Sequence, residues 1–483
     1  MVFSSAIFLF YFLPITLGIY FVAQKLAGPK LSNPVLFFFS IAFYAFGEAG
    51  FVLLILVSIL INYVFGLLID HQSVFLRRHR QTILLIGVCA NILLLTYFKY
   101  LGFLAESLHQ IVSLLGFSWT VTWPDVHLPI GISFFTFQAI SYLVDVYRGH
   151  AKCQRNLLDL GLYIALFPQL IAGPIVRYET VDKQIRKRTL TTEGICSGLR
   201  LFCVGLFMKA CLADTLAYNV DAIFAHPFEQ LSTHVAWVAI SAYSLQIFFD
   251  FAGYSLMAIG LGRACGFTFP QNFNQPYTSL NVREFWRRWH ISLSTWFRDY
   301  LYIPLGGSQR APTRTYANLL IVFLCTGIWH GASWNFVIWG LIHGLFIVLE
   351  RKGLSRLLET VPRFFSRLYL IVVVMVAWVF FRIEDFSDAA TVLAKMWFPD
   401  AGGHPVYASL ILNTDGWFWT IFGISLIWSL WSPRLATTIA TQVVRQRPIT
   451  AELVKSVGAM ILYLIALIVV ISNTYSPFIY FRF

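Results

Sequence analysis

Charge is what this 483-residue sequence has least of: Asp, Glu, Lys and Arg together make up 12%, about half of the ~25% usual in a soluble domain. That is too little solvated surface for a water-soluble chain of this length. The seven cysteines, at 89, 153, 196, 203, 211, 265 and 325, stand singly, with no CxxC pair and no Cys/His cluster at zinc spacing. Neither a disulfide framework nor a bound metal is indicated. No Gly-x-Ser-x-Gly elbow supports a serine hydrolase. Gly253, Gly260 and Gly262 form no P-loop or dinucleotide fingerprint, so close helix packing is their expected role. The first residues, MVFSSAIFLFYFLP, lack the positive n-region of a signal peptide and read as a retained first span. No fixed-period repeat, low-complexity tract or long polar linker divides the chain.

Apolar residues are what fill it, at 58%, with a mean hydropathy of +0.70. Candidate spans run at 3–24, 33–47, 50–69, 82–98, 129–147, 196–214, 235–260, 317–331, 335–350, 368–382, 417–431 and 453–472. The expected fold is an all-α polytopic membrane protein, with roughly 11 to 12 transmembrane helices plus re-entrant and interfacial helices around a central cavity. One membrane-embedded domain, 1–483, is the economical organisation, with its motifs concentrated in 128–350. Aromatic residues reach 17%, with 46 Phe, 22 Tyr and 15 Trp, which suits interfaces and an internal cavity. The net charge of +12 implies a basic cytoplasmic face in contact with the bilayer, not nucleic-acid binding.

Basic residues sort the loops. Arg77, Arg78 and Arg80; Arg148, Lys152 and Arg155; Lys183, Arg186, Lys187 and Arg188; and Arg351, Lys352, Arg356, Arg363 and Arg367 are expected on the cytoplasmic side, with both chain ends outside. Segment 158–173, apolar and proline-containing between two such clusters, is then re-entrant. Irregular backbone at that depth survives only inside protein or along a cavity.

Two segments carry chemistry. In 283–307, Trp286, Trp289, His290, Leu293, Trp296 and Phe297 recur at helical spacing, while Arg283 with Arg287 and Glu284 with Arg288 stand four apart. An amphipathic helix at the membrane interface follows. Its arginines suit either anionic lipid or a phosphorylated donor such as a coenzyme A thioester, with Arg287, Arg288, Trp289 and Arg298 as donor-binding candidates. In 325–340, CTGIWHGASWNFVIWG sets His330 inside an apolar run, where an ionisable side chain is a functional-site hypothesis by default. A neutral buried imidazole can take a proton from a hydroxyl, so general-base activation of an alcohol is its natural chemistry; a packed histidine bonded to a carbonyl is the plainer alternative. His343 reads as structural. Asp145, Lys209, Asp214 and Asp250 are further intramembrane polar residues, and a small-solute transporter using His330 and Asp250 is the competing reading.

The chain closely resembles the membrane-bound O-acyltransferase family, in its bacterial alginate and peptidoglycan O-acetylation branch. The resemblance rests on MVFSS, LPIGISFFTFQAISYLVDVYRG (128–149), FPQLIAGPIVRY (167–178), NFNQPY (272–277) and the two histidine segments. It implies that His330 is catalytic and that His290 is the second family histidine. Where relatives carry an aspartate after GYS, this chain has Leu256, so no role for that residue carries over. The terminal SPFIYFRF resembles an aromatic tail that holds an acyl group on a tyrosine, here Tyr480; a phenol of pKa ~10 is a better leaving group than a sugar hydroxyl. An interfacial anchor is the alternative for 473–483. The family further implies acetyl-coenzyme A as acyl donor with no bound cofactor, an SGNH-type extracytoplasmic transferase as partner, an envelope polysaccharide as final acceptor, and the bacterial inner membrane as location.

Overall fold

The computed structural model describes residues 1–117, 126–398, 416–430 and 448–472, and helices without a strand account for the regular structure among them. Among the described residues, seven helices are long and apolar enough to cross a membrane: Phe8–Ala27, Pro29–Asp70, Arg80–Leu114, Thr192–Phe224, Thr233–Ala264, Arg363–Arg382 and Thr450–Ser472, with a shorter apolar helix at Gly416–Leu430. The expected spans 33–47 and 50–69 fall together in Pro29–Asp70, parted by a short break at Ala49–Phe51. Those at 129–147, 317–331 and 335–350 are helical, at Ile132–Arg148, Pro312–His330 and Trp334–Leu349, but do not meet that standard of length and apolarity. Burial explains the first of these. Ile132–Arg148 buries Thr136, Gln138, Ser141 and Asp145 along with its apolar residues, so its surroundings are protein rather than lipid.

The chain packs as two compact units, Met1–Gly198 with Ala258–Pro270, and Leu199–Met257 with Gln271–Phe483. In the first, Arg188 is buried and fully engaged: its guanidinium donates to Asn33 Oδ1 at 2.6 Å, Ser32 Oγ at 2.9 Å and Tyr20 Oη at 3.0 Å. Tyr20 in turn donates to the Cys265 carbonyl at 2.6 Å. A charge buried in this way is tolerable because polar acceptors surround the guanidinium. Asn62 and Asn91 exchange amide hydrogen bonds at 2.9 and 3.1 Å, joining helices by a polar pair inside an apolar setting. The 158–173 segment is helical over Leu157–Ala165, breaks at Leu166, and resumes at Phe167–Leu170. Every residue from 160 to 176 is buried, and the Phe167 N–H freed by the break donates to Ser40 Oγ at 3.0 Å. Irregular backbone enclosed by protein is the condition the sequence required.

The second unit is built around a tight helical hairpin, Pro312–His330 and Trp334–Leu349. Glycine makes the approach possible: a Cβ on Gly327 would stand 2.3 Å from the Phe336 carbonyl oxygen, and one on Gly340 the same distance from that of Phe323. Asn335 donates to the carbonyls of Ile383 at 2.7 Å and Glu384 at 3.2 Å, tying the hairpin to the end of Arg363–Arg382. Buried Trp286, Trp289, Trp339 and Trp378 form the centre of the core. Replacing Gly340 by alanine should therefore destabilise the protein by about 1–3 kcal/mol, the usual effect of overpacking. Thermal unfolding in detergent micelles measures it, and an unchanged midpoint would show that the helices can separate freely.

Candidate active site

His330 is the last residue of Pro312–His330, 4% exposed. Three rings enclose it, with centroids at 4.8 Å for Trp339, 4.9 Å for Trp329 and 5.2 Å for Phe381. Gly331 then leaves the helix in extended conformation, and a Cβ there would overlap the Phe336 ring. The hairpin thus presents an imidazole at a helix end inside an aromatic box.

His290 lies on the other side of Trp329, 6.0 Å from that ring, and is fully buried. Its backbone is left-handed, with φ +43°, a region that non-glycine residues occupy only when their surroundings impose it. Asn272 supplies that constraint. The Asn272 carbonyl accepts from Ile291 N at 2.9 Å, while its side chain donates from Nδ2 to Ser255 Oγ at 2.9 Å. Asn272 Oδ1 must then be the accepting atom, and it takes Ser292 Oγ at 2.9 Å, Ser292 N at 3.2 Å and His290 Nδ1 at 3.2 Å. Nδ1 of His290 therefore carries the proton and Nε2 the lone pair. Among the described residues Nε2 has no hydrogen-bond partner. Burial pushes this imidazole down to about 3, so it is neutral at physiological pH.

The turn at His290 also changes the reading of 283–307. Two short helices, Val282–Trp286 and Ile291–Phe297, replace the single amphipathic one. The tryptophan spacing continues across the break because both pieces bury their apolar residues, Trp286 and Trp289 before it and Leu293 and Trp296 after it. Glu350 fixes the first piece: its carboxylate accepts from Val282 N at 2.6 Å and Arg283 N at 3.0 Å at the helix N-terminus, and from Tyr369 Oη at 3.1 Å.

Beside these helices lies a cavity of about 620 Å³ whose lining includes Arg283, Arg287, Arg298 and Arg351, with Trp286 and Phe323. Of the four donor-binding candidates, Arg287 and Arg298 line it. Arg288 does not; it pairs with Glu284 at 2.8 Å. Trp289 belongs to the core, stacked on Phe285 at 5.4 Å. Asp250, the carboxylate of the transport reading, is held by Lys209 at 2.7 Å, and Lys209 also meets Asp214 at 2.6 Å. Tyr480 lies outside the described residues. Asn272 and Glu350 went unread in the sequence. NFNQPY marked Asn272 only as part of a resemblance, and nothing in a lone glutamate beside a basic loop announces a helix anchor.

Helices of spanning length and composition make this a multi-pass membrane protein, and its second unit holds two enclosed imidazoles and an arginine-lined cavity. The family model described as MBOAT, membrane-bound O-acyltransferase family, matches residues 150–385. The chain is 43% identical over 393 residues to the probable alginate O-acetylase of Pseudomonas aeruginosa, covering 80% of this chain and 73% of that one. It is 36% identical over 429 residues to the peptidoglycan O-acetyltransferase of Helicobacter pylori, covering 82% and 80%. The teichoic acid D-alanyltransferase of Bacillus subtilis is 29% identical over 229 residues, or 45% of this chain and 58% of that one. This chain belongs to the membrane-bound O-acyltransferase family, and it is an O-acyltransferase.

Glu350→Ala should leave two helix-terminal N–H groups unmet and cost about 2–4 kcal/mol. Its unfolding midpoint in micelles should drop accordingly; a variant as stable as the parent would deny Glu350 its anchoring role.

Proposed function

We propose that the protein moves an acetyl group from a cytoplasmic donor, acetyl-coenzyme A, across the bacterial inner membrane for O-acetylation of an envelope polysaccharide of peptidoglycan or alginate type. The observation that carries this reading is His330, an imidazole enclosed by Trp329, Trp339 and Phe381 at the end of the hairpin. Support comes from the relatives named for alginate and peptidoglycan acetylation, which match 80–82% of the chain, against 45% for the D-alanyltransferase. The arginine-lined cavity suits the phosphates of a coenzyme A donor, which guanidinium groups recognise well.

In the step proposed, His330 removes the proton from an acceptor hydroxyl as that oxygen attacks the thioester carbonyl. The carbon–sulfur bond breaks, the new ester forms, and the imidazolium returns its proton to the leaving thiolate. No net proton or electron is exchanged with solvent. His290, with Nδ1 held by Asn272, offers its Nε2 lone pair to position donor or acceptor. The first acceptor is the Tyr480 hydroxyl, and a separate SGNH-type extracytoplasmic transferase passes the acetyl group to the polymer.

His330→Ala, at normal membrane abundance, should lower polymer O-acetylation by roughly 10²–10⁴-fold, the scale of a lost general base. Retained acetylation would remove His330 from the chemistry. Tyr480→Phe should abolish transfer to the polymer while leaving membrane insertion intact, and a fully active variant would reduce the tail to an anchor.

A further inference from the structure

Between the spans Pro29–Asp70 and Arg80–Leu114 the chain has only residues 71–79, so this linker must lie at the bilayer surface. Its middle is a short helix, Val74–Arg78, started by Ser73, whose Oγ accepts from Leu76 N at 3.3 Å. Two tethers hold the linker's ends to the chain around the end of Ile132–Arg148. Arg80 donates to the carbonyls of Ile69 at 2.9 Å and Val146 at 3.0 Å, and Arg155 pairs with Asp70 at 3.0 Å. Arg80 and Arg155 are thereby engaged within the protein. Arg77, Arg78 and Lys152 are exposed, and none of the three forms an ion pair among the described residues.

Apolar side chains stand beside these cations. Val74 is 85% exposed and Phe75 70%, on the same short helix as Arg77 and Arg78. Phe75 packs on the His79 ring at 4.5 Å, and His79 Nδ1 donates to the Phe75 carbonyl at 2.8 Å. Exposed cations next to exposed apolar groups at a bilayer surface match a phospholipid in order, with phosphate at the headgroup level and acyl carbons beneath it. The helix Tyr178–Arg186 makes the contrast. Lys183 and Lys187 are exposed there too, but Val181 and Ile185 are buried, so that surface offers charge alone, which is all that an acidic water-soluble protein requires.

The geometry points to a recognition surface for anionic phospholipid at this edge, where Arg77 and Arg78 meet the lipid phosphate, Lys152 adds charge from the tethered loop, and Val74 and Phe75 enter the acyl boundary. Guanidinium groups suit the task because their paired N–H donors match phosphate oxygens. The surface is independent of the acyl-transfer reading, since it uses no residue of that mechanism.

The test titrates delipidated full-length protein in detergent micelles with phosphatidylglycerol and, separately, with phosphatidylcholine, and counts bound lipid by native mass spectrometry. The wild type should hold phosphatidylglycerol more tightly than phosphatidylcholine. Arg77→Gln combined with Arg78→Gln should weaken phosphatidylglycerol roughly twentyfold, about fivefold for each cation, and leave phosphatidylcholine unchanged. Phe75→Ser should weaken both lipids alike, because its contact does not read charge. Lys183→Gln combined with Lys187→Gln, an equal change of net charge, should bind as the wild type does. Equal affinity of the wild type for the two lipids, or unchanged affinity in the Arg77/Arg78 or Phe75 variants, would overturn the proposal. So would an equal loss in the Lys183/Lys187 variant, which would make the effect one of net charge. Displacement of the lipid by an equal concentration of glycerophosphoglycerol, the headgroup without its chains, would make this a surface for soluble anions, and the lipid assignment would fall.

Discussion

Aromatic side chains keep water away from the buried histidines of the second unit. His330, His290 and His343 are buried among tryptophan and phenylalanine rings, and burial holds the His290 imidazole in its neutral form. The same exclusion explains the tryptophan-rich core of the second unit. Indoles fill volume and can still offer one polar bond each, which aliphatic side chains cannot.

Such an interior must be held rigid by few polar contacts, each of them well placed. Glu350 clamps the start of the helix that carries Arg283 and ends at Arg287 as its cap. Asn272 fixes both the backbone and the tautomer of His290 through one carbonyl and one amide. Lys209 lies between Asp214 and Asp250 within 2.7 Å of each, and Arg188 serves the other unit in the same way with neutral partners. Glycine completes the scheme: Gly327 and Gly340 bring the hairpin backbones close enough to set His330 against Trp339.

How much of this could be read in the sequence follows from the range of each interaction. Apolar run length and scarce charge identify a membrane protein because they reflect the solvent, which acts on every residue alike. The Glu284–Arg288 pair was readable too, since it arises from neighbours along the chain, whereas the enclosure of 160–176 depends on distant partners such as Ser40. The break at His290 was hidden, because buried tryptophans on either side of it mimic the period of a single helix. Asn272 and Glu350 act across 18 and 67–68 positions, and single polar residues carry no pattern.

The central claim is that an acyl group, and not an intact donor, crosses the membrane by way of His330. Proteoliposomes holding the purified protein in one orientation, with radiolabelled acetyl-coenzyme A confined to the cytoplasmic face, test it most directly. The account predicts base-labile ester label on the opposite face, absent with His330→Ala, while the coenzyme A moiety stays where it was added. Intact acetyl-coenzyme A on the far side, or ester formation undiminished by His330→Ala, would contradict it.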